Sequence, residues 1–515
     1  MTPHMARPAR LHTPFVVFLG SIAALVALVG LLAFDPAQLF APRGAAARPL
    51  IVLCAASLKA PVEAIAREYG DRYGVEVQLQ FGASNTLLAT LEVSDRPDLY
   101  LPADDSYITT ARDKNLVAEV VPLARQRPVL AVPRGNPKAV RGLDDVVRRN
   151  LRIAQANPEA AAVGRLVRQV LQRNGRWDAF SQRIVVTKPT VTDVAADVQV
   201  GAVDAGVVWD TTVASVAGLE VVPVPLFADV HAEVVASVAR ACAQPAAALH
   251  FARYLAARDR GLPVFAKYGF VPVDGDAWAE TPELRLLAGA MLRPAIEETI
   301  TAFEEREGVR VTRVYNGCGI LVAQMRTGDG VPDAFFACDR AFMTQVHDLF
   351  GPPTTVSGNQ LVILVHKGNP HGIRRLKDLA KPGLRVGVGH EKQCAMGVLT
   401  QQTLREDRSL PGVMKNVKVQ SPTGDLLVNQ MRTGSLDAAI AYISNAAGAA
   451  DELEAVPVDI PCAFAEQPFA VGKKSTHPQL AGRLLDALRG RESYERFRAY
   501  GFSWKAPLPP GVKAP

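Results

Sequence analysis

The sequence predicts an α/β protein built twice, behind an apolar N-terminal segment. Three observations carry that expectation. Residues 151–209 begin LRIAQANPEAAAVGRLVRQVL and end GAVDAGVVW, while residues 384–442 begin LRVGVGHEKQCAMGVLTQQTL and end GSLDAAIAY. The offset is 233 at both ends (384 − 151 and 442 − 209), so no gap separates the copies. Within each copy, short apolar strands alternate with segments of helical period, the pattern of an α/β fold. Before both copies lies an apolar run over residues 15–34.

Further pairs lengthen the repeat: Arg134-Gly135-Asn136-Pro137 with Lys367-Gly368-Asn369-Pro370, and Tyr268-Gly269-Phe270 with Tyr500-Gly501-Phe502. A period this long is the size of a domain or a pair of lobes, too long for a solenoid unit. The expected units are residues 50–275 and 283–506. Residues 15–34 are long enough to span a bilayer, and Arg7 and Arg10 before them place residues 1–14 in the cytoplasm. Ala45-Ala46-Ala47 offers a signal-cleavage reading, but it lies far beyond the apolar run. An uncleaved anchor in the inner membrane, with residues 35–49 as linker, is the favoured reading.

In the first copy, residues 50–53 read as a buried strand. Leu58, Val62, Ile65, Ala66 and Tyr69 give residues 57–73 a helical period. Residues 75–80 alternate as a strand, 84–93 are helical, and 97–101 and 129–132 are strands. Strands at 151–154, 184–186 and 205–209 follow, with helices at 164–174 and 191–200 between them. Such alternation implies mostly parallel sheets, with ligands at the C-terminal ends of strands. Ser57, after the first strand, is placed to cap the next helix, with Pro61 in its first turn. Phe81-Gly82-Ala83-Ser84-Asn85 repeats the arrangement. Two helix N-termini with hydroxyls make an anion site without a formal positive charge.

The Ala55-Ala56-Ser57-Leu58 turn, Phe81-Gly82-Ala83-Ser84, Pro97-Asp98 and Asn157-Pro158-Glu159…Gly164 together resemble the periplasmic molybdate-binding proteins of ABC importers. So do Gly201…Asp204-Ala205-Gly206-Val207-Val208-Trp209 and Tyr268-Gly269-Phe270. The resemblance implies periplasmic-binding-protein type 2 units, each of two α/β lobes joined by a hinge that close on a tetrahedral oxyanion such as molybdate or tungstate. It also implies an ABC permease partner and an extracytoplasmic location. Ser57 and Ser84 match serines that donate hydroxyl and backbone N–H bonds, and Val163 and Val191 match backbone N–H donors. Trp209 stands where the family usually has a tyrosine, and an indole donates only through its N–H. Asp98 and Glu159 are expected outside the ligand's contacts.

The second copy departs at these positions. Ser57 becomes Met291, Ser84 becomes Cys318, Val163 becomes Met396 and Trp209 becomes Tyr442. A thioether cannot donate and a thiol donates weakly, so this cleft is not expected to hold molybdate in the family's way. Cys318, Cys338 and Cys394 map to its mouth, with Met291 and His390 close by. Three readings stand: a soft-metal site for Cu(I), Zn(II) or another soft ligand, a disulfide between two of the three, or a pocket that has decayed or been altered for another small molecule. Cys54 and Cys242 read as core residues, and His347, His366 and His371 have no metal-ligand spacing.

The net charge of +6 is spread without a dense basic run, which argues against nucleic-acid binding. There is no Gly-x-Ser-x-Gly elbow, His-Glu-x-x-His or phosphate loop, so no enzyme and no cofactor is expected. The leading reading is an anchored extracytoplasmic solute-binding protein with an oxyanion site in the first unit and a diverged second unit. The alternative is a metal-handling or sensory module using the Cys/Met pocket.

Overall fold

The first strand, Leu50–Ala55, is buried along its whole length, and the chain builds each lobe around such strands. The computed structural model describes residues 48–328 and 330–513. Segments 1–14 and 15–34, and the linker up to residue 47, lie outside the described residues. No helix among the described residues is long and apolar enough to cross a membrane.

The first repeat contains two mixed sheets. One orders its strands Val271–Pro272, Val117–Gln126, Ala232–Ala239, Leu99–Leu101, Leu50–Ala55 and Val77–Gly82. The other orders Ile184–Lys188, Ile153–Ala156, Ala205–Trp209, Pro128–Pro133 and Leu219–Val222. The expectation of mostly parallel sheets is corrected. Leu50–Ala55 pairs parallel with both its neighbours, but Ala232–Ala239 runs antiparallel to Leu99–Leu101 and Val117–Gln126. The chain leaves the first lobe along one crossing strand and returns along another, so the crossing strands oppose each other.

The second repeat keeps this strand order but joins its sheets into one of ten strands. The join is Thr354–His366, 13 residues that run unbroken through both lobes. In the first repeat the matching stretch is interrupted at Arg127, whose N–H and C=O both bond to Asp210 instead of a ladder partner.

The repetition extends to small devices. The helices Lys59–Tyr73 and Arg293–Glu307 both end on a left-handed glycine, Gly74 at φ 66° and Gly308 at φ 65°, where any other residue would carry Cβ strain. Asp98 and Asp333 each accept the backbone N–H of a first-strand residue, Ile51 at 2.9 Å and Arg285 at 2.8 Å. Asp98 therefore has a structural role, holding the strand rather than facing the cleft.

From Leu50 onward the chain forms one compact unit rather than two bodies on a tether. Its repeats meet through the helices Pro245–Ala256, Arg293–Glu307 and Pro478–Leu488. Glu307, 1% exposed, is held between Arg253 (3.2 Å) and Arg483 (2.6 Å), which are themselves buried. Asp276, in the segment that joins the repeats, accepts the N–H groups of Gln479 and Leu480 at the start of a second-repeat helix. Breaking a buried ion pair leaves an uncompensated charge, here two guanidinium groups. Glu307→Ala is expected to cost about 3–5 kcal/mol, read as a lowered midpoint in denaturant unfolding.

Candidate functional site

Two parallel strand pairs bring the candidate residues together. Leu50–Ala55 and Val77–Gly82 are in register with Ala55 opposite Gly82, so the turns that follow them leave the sheet side by side. Those turns carry Ser57 in the short 3-10 segment Ala56–Leu58, and Ser84 as first residue of the helix Ser84–Val93. In the other lobe Ala156 stands opposite Lys188. The following helices, Ala162–Arg173 and Val191–Gln199, place Val163 and Val191 in their first turns. Gly164 permits the first of these to sit tightly on its strand, since a Cβ there would lie 2.2 Å from the Ala156 carbonyl oxygen.

All five expected residues, Ser57, Ser84, Val163, Val191 and Trp209, line one cavity of about 20 Å³. Pockets for organic ligands are roughly 300–1,000 Å³, so this space suits a small inorganic solute. No lining residue is ionisable as an acid or a base in the neutral range. The first-turn N–H groups of each helix have no intrahelical acceptor, which gives the cavity several fixed donors.

The hydroxyls are poised differently from the expectation. Ser57 does not cap a helix: its Oγ is buried and without a partner in the protein. An orphaned buried hydroxyl is costly unless something else completes it. Ser84 Oγ accepts the Ala103 N–H at 3.1 Å, which leaves its own hydrogen to donate. Glu159 is exposed, outside the cavity lining, in an ion pair with Arg168.

Several contributors carried no motif in the sequence. Thr190 caps the helix Val191–Gln199 through a reciprocal bond with Asp193 and lines the cavity. Asn85 crosses between lobes, its backbone N–H donating to Ala160 O (2.9 Å) and its side chain to Glu159 O (2.8 Å). Buried Gln126 donates to Ala103 O and accepts from Thr211 Oγ1, tying the crossing strand to the site. Asn85 belongs to the Phe81-Gly82-Ala83-Ser84-Asn85 turn, but its reach across the lobes has no local signal; nor has Gln126, whose partners come from distant segments.

The second repeat fills the same place with sulfur. Met291, Cys318, Met396 and Tyr442 occupy the matching positions and all are buried. Cys318 is disulfide-bonded to Cys338. The Cys338 N–H meets Cys318 Sγ at 3.0 Å, the same contact that Ala103 makes with Ser84. A disulfide sulfur has no hydrogen to donate, so the donor that Ser84 keeps is lost in this copy. Cys338 replaces Ala103, and its sulfur fits because Gly289 replaces Ala55: a Cβ on Gly289 would lie 2.3 Å from Cys338 Sγ.

The three-cysteine metal centre is therefore corrected. Two of its sulfurs are spent on each other, and Cys394 turns back into its own lobe toward the carbonyls of His390 and Ser421. Burial raises the Cys394 pKa, which disfavours the thiolate that a metal would need. Among the described residues no group of three or more His, Cys, Asp or Glu side chains is placed to hold a metal ion. Tyr442 keeps a buried hydroxyl without a partner, and its burial pushes its pKa well above the ordinary tyrosine value. Cys54 is a core residue, while Cys242 is half-buried with its thiol on Asp98. Gly289→Ala is expected to exclude the Cys338 sulfur from its place. Thiol titration under non-reducing, denaturing conditions should then count six free cysteines instead of four.

Comparison with known proteins agrees with the doubled architecture. The family of bacterial extracellular solute-binding proteins matches residues 50–271 and again 284–503. The molybdate-binding protein ModA of Mycobacterium tuberculosis is 28% identical over 205 residues, 39% of this chain and 76% of that protein. ModA of Escherichia coli is 26% identical over 180 residues, 34% of this chain and 70% of that protein. Among solved structures, the periplasmic molybdate-binding protein of Azotobacter vinelandii is 20% identical with a TM-score of 0.37, covering 43% of this chain and 98% of its own. With both repeats matched, the chain belongs to the bacterial extracellular solute-binding protein family, whose unit it carries twice in tandem.

Proposed function

We propose that the first repeat captures a fully ionised tetrahedral oxyanion, molybdate or tungstate, and presents it to the permease of an ABC importer. The observation that carries this reading is the small cavity lined by neutral donors, with Ser57 Oγ buried and unpartnered. Molybdate near neutral pH offers acceptors only, so a site of donors satisfies every face. Phosphate retains a proton near neutral pH and would call for a carboxylate acceptor, and none lines the cavity. The relatives named for molybdate support the same chemistry.

Each neutral donor contributes through desolvation: inside the closed cleft a hydrogen bond to a charged acceptor is worth roughly 1.5–3 kcal/mol. Trp209 changes one wall, replacing a hydroxyl donor with an indole that is larger and donates in a fixed direction. Residues 15–34 are proposed to hold the protein on the outer face of the inner membrane, which keeps the binding units beside their permease. The second repeat, with sulfur in place of both hydroxyls, is proposed to leave oxyanions unbound.

Isothermal titration of the purified full-length chain with molybdate, tungstate, sulfate and phosphate tests the reading. Molybdate and tungstate should bind at one ion per chain. Ser57→Ala should weaken binding by about 10- to 150-fold, the range set by one charge-assisted hydrogen bond. Heat from none of the anions, or an unchanged affinity in Ser57→Ala, would sink the proposal. A stoichiometry of two would refute the assignment of the second repeat.

A further inference from the structure

We propose that Arg165 is a latch that holds the two lobes of the first repeat shut and so sets how slowly the oxyanion leaves. The inference rests on reading the first repeat as the anion site. Arg165 lies on the helix Ala162–Arg173, two residues beyond Val163 of the cavity wall. Its side chain crosses to the opposite lobe. There the guanidinium stacks 4.0 Å from the ring centroid of Tyr107, donates to Ser106 Oγ, and lies 3.9 Å from Asp104. Asp104 follows Ala103, whose N–H bonds to Ser84 Oγ. The latch thus ties a helix that forms one wall of the cavity to the residue that follows Ala103 in the other.

The second repeat serves as an internal control. It keeps the backbone bond that crosses its lobes, Gly319 N–H to Gln393 O at 3.0 Å, the counterpart of Asn85 to Ala160. It also keeps the acid, as Asp339. Yet Arg165 has become Val398, Ser106 has become Ala341 and Tyr107 has become Phe342. Val398 is left 40% exposed. The latch has disappeared from the copy that lost both serines, while the scaffold bonds survived in both. A group that only stabilised the fold would have no reason to be lost with the ligand hydroxyls.

The geometry also separates a latch from a counter-charge. The guanidinium is paired with Asp104 and lies outside the cavity lining, so its net field on the ion is small. What it does is strengthen the closed form through a cation–π contact and an ion pair that exist only when the lobes meet. Removing it should raise the open population, which appears as faster release with little change in capture.

Two measurements on the full-length chain test this. Stopped-flow tryptophan fluorescence, with Trp209 in the cavity wall as reporter, follows molybdate capture and release in wild type, Arg165→Val, Arg165→Lys and Asp104→Asn. Arg165→Val should release the ion about tenfold faster, the scale of one cation–π contact plus one exposed ion pair, with the capture rate changed less than about twofold. Arg165→Lys should recover part of the loss, because an ammonium still serves both Asp104 and the ring. A loss confined to the capture rate and abolished by salt would overturn the latch in favour of electrostatic steering. Hydrogen exchange at the Asn85 amide, which crosses the lobes, reads closure without any ion. About tenfold faster exchange in Arg165→Val supports the latch, and wild-type exchange overturns it. A wild-type protein that binds no oxyanion refutes the anion site alone, since the exchange measurement still decides the latch.

Discussion

The proposed function turns on one constraint: a dianion would have to be taken from water into a cavity whose lining carries no opposing charge. Strand register meets that constraint. With Ala55 opposite Gly82 and Ala156 opposite Lys188, the turns that end each parallel pair emerge together, and each lobe presents two helix beginnings to the same point. Unpaired N–H groups then supply partial positive charge that does not have to be desolvated afresh at binding. A lysine or arginine in the wall would attract the ion more strongly, but would also attract every other anion. Fixed donors select for an ion that wants only donors.

The same scaffold tolerates a very different filling, and the comparison shows which parts are independent. Three linked exchanges convert the cradle: Ser84 to Cys318, Ala103 to Cys338 and Ala55 to Gly289. The glycine makes room, one cysteine takes the place of the hydroxyl, and the other closes the bond. The backbone contact between the two positions survives at nearly the same length, 3.1 Å to oxygen and 3.0 Å to sulfur. The turn geometry is therefore a property of the strands, whereas the chemistry belongs to the side chains placed on it.

Much of this was legible from residues alone. The ungapped repeat gave the doubling, and strand–helix alternation gave the elements, because both are local patterns that burial imposes on neighbouring residues. Ser57 and Ser84 stand out locally because each follows a strand and opens a helical segment, whereas Val163, Val191 and Trp209 are named by the family resemblance. The helix Ser84–Val93 was read to its observed bounds. What could not be read was anything requiring two distant segments at once. The role of Ser57 is one case: a serine before a helix reads as a cap, and only the packed structure shows its oxygen unclaimed. The choice among three readings of the cysteines is another, since the pairing depends on Gly289, which lies far from both cysteines in sequence. The sheets likewise proved mixed because crossing direction is a topological property that periodicity does not encode.

The buried clamp explains why the second repeat is more than a spare copy. Glu307 is on the first long helix of the second repeat, and it holds Arg253 from the first repeat and Arg483 from near the end of the chain. Three segments separated by tens to hundreds of residues must converge before any of these charges is compensated. Taking such charges out of water offsets much of their mutual attraction, so the cluster is weak evidence for stability in itself. Its consequence is registry: Glu307 is satisfied where the three helices meet, and Arg306 beside it reaches Glu119 on the crossing strand of the first repeat. That strand, Val117–Gln126, ends at the Gln126 that bonds to Ala103 beside the cavity. The second repeat therefore braces the lobe that carries both serines, through Arg306, Glu119 and the strand that ends at Gln126.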